Sequence, residues 1–206
     1  MVDCVQALGK QALALSNTTI DYAPFSGHKL YAPKGIGFLY IRSGSAYTPF
    51  IAGGGQESGM RSGTENLPGI AGLNKLFSML LDKSDDTFKP ISILNSYRSQ
   101  LQSAIKDTFG DITFNHDFAY SVPTTLNFAV NDLTSKEVID LFDAAGIRVS
   151  GGSACSTGAS TSFVLDAMGA SKWQSENAIR LSFGPAATQH DIDDACVRIR
   201  IKSCKR

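Results

Sequence analysis

The residues best suited to chemistry are gathered in one stretch, Phe25-Ser26-Gly27-His28-Lys29-Leu30-Tyr31-Ala32-Pro33-Lys34-Gly35-Ile36-Gly37. It holds a hydroxyl, an imidazole and two ammonium groups among glycines. Short apolar runs enter and leave it, which predicts a strand-to-strand corner. A lysine held rigidly there suits covalent work on a carbonyl group, and Ser26 and His28 beside it suit an anion. Each also has a plainer reading: a surface lysine near a turn, a serine bonded to its own turn, a histidine satisfied locally. Cys155 stands in a second glycine-rich loop, Ser150 to Gly158, among small residues rather than on an apolar stripe. Free thiols are more often buried and inert, and Cys196, on a periodic apolar stripe, fits that description.

The elements that must position these groups follow from pattern. Ile20 to Phe25 and Ile36 to Ile41 read as strands. The loop from Ala52 to Asn66 has five glycines in fifteen residues, so no regular element is expected there. Ile70, Leu73, Phe77 and Leu80 recur at helical spacing, and a second helix is predicted from about Ile91 to Lys106. Asp111 to Phe114, Thr124 to Val130, Ile147 to Val149 and Ala178 to Phe183 read as strands, the last exposing Arg180 on one face. Thr134 and Glu137 form a capping box that opens a helix, and Thr188 caps the final one. Polar residues 83–86 mark the predicted boundary between a domain over 1–85 and a small α+β domain over 86–206.

Nineteen basic and nineteen acidic residues cancel, which gives no electrostatic case for nucleic acid or an anionic membrane. Four separated cysteines with no CxxC pair argue against a metal knuckle and a disulfide framework, and point to a reducing cytoplasm. No apolar run is long enough to span a bilayer, and the first residues lack a signal-peptide pattern.

Three segments together resemble one family. Ser26-Gly27-His28-Lys29 followed by Pro33-Lys34-Gly35-Ile36-Gly37 is similar to the cofactor-lysine motif of cysteine desulfurases, pyridoxal-phosphate enzymes of the class V aminotransferase superfamily. Gly53-Gly54-Gly55-Gln56-Glu57 with Arg61-Ser62-Gly63-Thr64 matches a second motif. Ser153-Ala154-Cys155-Ser156 matches the catalytic-cysteine loop of the subgroup that includes NifS and IscS. The resemblance runs over essentially the whole chain. It implies an α/β fold: part of the fold-type-I pyridoxal-phosphate transferase sheet, then a small α+β C-terminal domain.

The resemblance also implies roles. Lys29 would form the Schiff base with pyridoxal 5'-phosphate and later shuttle the α-proton. Ser26 and His28 would hold the phosphate. Asp3 would pair with the pyridinium nitrogen and Gln6 with the ring hydroxyl. Thr64 would reach the phosphate of a neighbouring subunit in a homodimer. Arg180 would clamp the carboxylate of L-cysteine bidentately. Cys155 would take the substrate sulfur as a persulfide, release alanine, and pass sulfur to an acceptor protein such as an iron–sulfur scaffold or a thiolation protein. No metal is implied.

The match has departures. The chain opens at the pyridinium-binding aspartate, so the family's N-terminal half is expected to be missing, including a ring-stacking histidine. Ala32 stands where relatives often have glycine, and Pro185 where they often have arginine. Three readings therefore stand: a cysteine desulfurase seen as its C-terminal part and inactive alone; a non-catalytic fragment for dimerisation or partner binding; and a selenocysteine lyase or other class V transaminase.

Overall fold

A computed structural model of the chain describes residues 1–151 and 162–201. The chain divides into two units, Met1–Phe88 and Lys89–Arg206, each with its own core.

The first unit is built on an antiparallel pair, β1 (Tyr22–Ser26) and β2 (Gly37–Ile41), with Ser26 opposite Gly37. Both strands begin later than the hydrophobic pattern alone predicts. A single 3-10 turn, Gly27–Leu30, follows β1 directly and ends at Tyr31 in the left-handed region (φ 69°). The amide of Gly27 donates to Ile36 O at 3.0 Å, which closes the corner. Only glycine serves at position 37, because an added Cβ would collide with the Phe25 carbonyl oxygen.

Residues 2–4 lie along the other side of β1 and run in its direction. The Val2 amide donates to Tyr22 O (3.0 Å) and the Cys4 amide to Pro24 O (3.3 Å). Pro24 has no N–H to give, but its carbonyl is used. Helix α1 (Leu67–Leu81) starts with Asn66, whose side chain accepts from the Gly69 amide, and has proline in its first turn. It buries Leu73 and Leu76 against Leu30. The glycine-rich loop is not wholly irregular: a 3-10 turn spans Gln56–Gly59, with Glu57 and Ser58 left-handed (φ 51° and 57°).

The second unit contains a three-stranded antiparallel sheet in the order β3 (Ile112–Phe114), β4 (Thr125–Val130), β5 (Ile179–Ser182). Its buried face, with Leu126, Phe128 and Ile179, packs with Leu94, Leu101 and Ile105 of α2 (Ile91–Phe109) and Ile192 of the last helix. Helix α3 (Ser135–Ala144) carries the predicted capping box. Two short helices follow, α4 (Phe163–Ala167) and α5 (Lys172–Asn177), and then α6 (Gln189–Ile201).

Two expectations need correction here. Ile147 to Val149 is not a strand: the Ile147 amide turns back to Phe142 O at 2.9 Å, and only Ser150 makes a bridge, to Arg180. Helix α5 was not anticipated, although Ser171 and Gln174 form a second capping box at its start.

Candidate active site

Lys29 occupies the 3-10 turn that joins the two strands of the first unit. It is half-buried, and among the described residues its ammonium has no hydrogen-bond or ion-pair partner. On the same corner, Ser26 Oγ and His28 Nδ1 are hydrogen-bonded at 2.8 Å, and His28 is exposed. Asp3 Oδ1 accepts from the Val5 amide at 2.8 Å. Gln6 Oε1 accepts a hydrogen bond from the ammonium of Lys10, a residue only 7 % exposed.

Residues 2–4 and β1 run the same way: Asp3 lies between the bonds to Tyr22 and Pro24, beside the first half of β1, and β1 runs on to Ser26 and the turn that carries His28 and Lys29. Ligands of open α/β sheets gather beyond the carboxyl ends of such parallel segments.

Thr64 is exposed and, among the described residues, has no hydrogen-bond partner. Its loop is held by Ser62, whose Oγ donates to Gly54 O at 2.7 Å, and by Gln56 Oε1, which accepts from the Gly63 amide at 3.1 Å. Thr64 borders a groove of about 710 Å³ also lined by Phe38, Leu39, Tyr47, Met60 and Arg61. Neither Lys29, Ser26 nor His28 lines that groove.

In the second unit, Arg180 stands on β5, opposite Asn127 of β4. It is half-buried, and its guanidinium has no partner among the described residues. Its backbone exchanges two hydrogen bonds with Ser150, at 2.7 and 3.0 Å. Cys155 itself, in the segment 152–161, lies outside the described residues, as does Cys204. Cys196 is buried, and that burial pushes its thiol pKa up, as an inert core thiol requires.

Several polar residues on these faces carry no sequence motif. Asn115 Nδ2 donates to Asn127 Oδ1 at 2.8 Å, and Gln174 Nε2 donates to Asn115 Oδ1 at 3.2 Å. The alternation Thr125-Leu126-Asn127-Phe128, polar then apolar, was the available signal for this polar face. Lys10 gave none, since a lysine four residues after a glutamine is ordinary on any turn.

Comparison with known proteins shows the family. The model of the family described as aminotransferase class-V matches residues 1–194. The chain belongs to the class-V aminotransferase family. Within that family it is 38 % identical over 194 residues to a cysteine desulfurase of Bradyrhizobium diazoefficiens, covering 94 % of this chain and 48 % of the relative. It is similar to the solved structure of a NifS-like protein, with a TM-score of 0.75 and 32 % identity over 97 % of this chain and 50 % of the other. It is similar also to SspA in complex with cysteine, at TM-score 0.69 and 29 % identity over 90 % of this chain and 50 % of that one. The chain thus spans about half the length of the curated relatives it matches. Its fold is the expected one, mixed α/β with partial sheets, like that of the NifS-like enzymes. Among the described residues, no helix is long and apolar enough to cross a membrane.

Proposed function

We propose that this chain carries the cofactor lysine and sulfur-accepting cysteine of a cysteine desulfurase, with pyridoxal 5'-phosphate as cofactor and L-cysteine as substrate. The observation that carries the reading is Lys29. Lys29 is half-buried, its ammonium lacks a partner among the described residues, and it directly follows the bonded Ser26–His28 pair in a chain of the class-V family. The donor set fits the cofactor by type. An amine suits its aldehyde, a hydroxyl and imidazole its phosphate, the Asp3 carboxylate its ring nitrogen, and the Gln6 amide its ring hydroxyl.

When bound, pyridoxal phosphate supplies an electron sink for the carbon that bears the substrate amino group. Lys29 anchors it and then moves the α-proton. Ser26 and His28 hold the phosphate, and Thr64 reaches the phosphate of a second copy in a homodimer. Arg180 binds the substrate carboxylate through two parallel hydrogen bonds. The Cys155 thiolate would attack the substrate sulfur: the S–S bond of a persulfide forms as the substrate C–S bond breaks, the electron pair of that bond stays on the carbon, and the carbon takes up a proton and leaves as alanine. An acceptor protein of iron–sulfur assembly or thiolation then takes the sulfur.

Because the chain spans about half of its relatives, the complete turnover is proposed to need the remainder of that fold as well. The test uses the pure chain loaded with pyridoxal phosphate. L-Cysteine is expected to alter the bound cofactor's visible absorption saturably, and Arg180→Met to remove saturation. Alanine release by the chain alone is expected to be absent. Indifference of the loaded chain to L-cysteine contradicts the substrate reading; measurable alanine contradicts the need for the rest of the fold.

A further inference from the structure

Lys10 is the most deeply buried charged side chain of the first unit, and the roles above do not use it. A buried ammonium is costly unless it is paired. Its hydrogen-bond partner is the neutral amide of Gln6, through Oε1. Burial first, and then the positive charge of Lys29, hold the Lys10 pKa below the ordinary lysine value.

The backbone explains the juxtaposition. The Lys10 and Gln11 amides both donate to Ala7 O, at 3.1 and 3.0 Å, which folds residues 7–11 into a tight turn. Gly9 at φ 70° lets that turn lie against Leu30, the residue after Lys29. A Cβ on Gly9 would stand 2.8 Å from Leu30 Cδ2, closer than side-chain carbons approach. Glycine at position 9, at positive φ, therefore lets the turn that bears Lys10 pack on Leu30, next to Lys29 in sequence.

We propose that Lys10 is a positioning residue for the cofactor end of this site. It fixes the Gln6 amide and keeps a second positive charge beside Lys29. An ammonium can only donate, so it claims the oxygen end of the amide. The Gln6 Nε2 hydrogens are then left to donate to a ring oxygen. The two cations together also favour an anionic, deprotonated ring group on whatever Lys29 holds.

This inference rests on the pyridoxal-phosphate reading, and the experiment separates the two. The full chain, Lys10→Met, Lys10→Arg, Gln6→Leu and the double variant Lys10→Met/Gln6→Leu are titrated with pyridoxal phosphate. Equilibrium binding, the pH midpoint of the bound cofactor's visible absorption, and the Tm of each cofactor-free chain are measured. Lys10→Met is expected to weaken binding about tenfold and to raise the midpoint by about one pH unit, the size expected of one nearby charge. Lys10→Arg is expected to restore the midpoint, and the binding loss is expected to shrink in the Gln6→Leu background. Methionine keeps the apolar stem and removes a buried charge, so the cofactor-free chain is expected to stay folded. A Lys10→Met chain with unchanged binding and midpoint overturns this proposal alone. A loss of binding accompanied by a collapsed Tm, with no recovery in Lys10→Arg, overturns it in favour of a purely structural lysine. Failure of the unsubstituted chain to bind overturns the cofactor reading and this proposal with it.

Discussion

Ser26 Oγ and His28 Nδ1 are hydrogen-bonded to each other at 2.8 Å, two residues apart across the end of β1. Among the described residues neither side chain has another partner. Each holds the other in place, and the imidazole Nε2 remains open to solvent. Such a pair can turn a hydrogen toward one phosphate, from Ser26 Oγ when Nδ1–H donates to it or from His28 Nε2 when Oγ donates to Nδ1. Ser26→Ala and His28→Ala are each expected to weaken pyridoxal phosphate binding about tenfold or more, the cost of one hydrogen bond to a charged group. Fluorescence titration measures it. Unchanged affinity in both variants removes the pair from the site.

Gly37 faces the Phe25 carbonyl across the β1–β2 pair, where no side chain fits. Gly37→Ala is expected to separate the strands at the corner that carries Lys29. Protection of the Phe25 and Phe38 amides from hydrogen exchange should fall, while α2 of the second unit keeps its protection. Equal exchange in both chains would show that the corner tolerates the methyl group.

The second unit depends on Phe128, fully buried between the sheet and its helices. Phe128→Ala is expected to cost about 3–5 kcal/mol of that unit's stability. Denaturant unfolding followed through the second unit's helices measures the loss. A cost below about 1 kcal/mol would mean that the core closes around the gap.

Much of this was readable beforehand because local rules agreed with tertiary demand. The apolar spacing of Leu94, Leu101 and Ile105 gave α2, and Thr134 with Glu137 gave the start of α3. Ile147 to Val149 misled because β-branched residues raise strand propensity, while the end of α3 takes their first amide. Within the site, Lys29, Ser26 and His28 were legible from residue type and closeness in sequence. Lys10 was not, because its burial depends on a tight turn with a positive-φ glycine packed on Leu30. The amide series Asn115, Asn127 and Gln174 was hidden likewise, being assembled from three separate elements.

His116 supplies a pH dependence. Its Nε2 is buried without a hydrogen bond among the described residues, and its ring packs on Phe118 with centroids 4.7 Å apart. Burial first, then the Arg98 guanidinium, hold its pKa below the ordinary 6.5, while the Asn127 backbone and Asp117 oppose them. The folded state therefore prefers the neutral ring. Stability from this source is full above the unfolded value and is lost as pH falls through 6.5 toward the lower folded value. The wild-type denaturation midpoint is expected to fall more than that of His116→Gln between about pH 7 and pH 5. Parallel pH curves would assign the acid sensitivity to other groups.

The central claim is that Lys29 anchors the cofactor. The direct measurement is to incubate the pure chain with pyridoxal phosphate, reduce with borohydride, and locate the modified lysine by mass spectrometry. The account predicts one dominant pyridoxyl-lysine, at Lys29, lost in Lys29→Ala without transfer to Lys10 or Lys34. Labelling scattered over surface lysines, or a dominant label elsewhere, contradicts it.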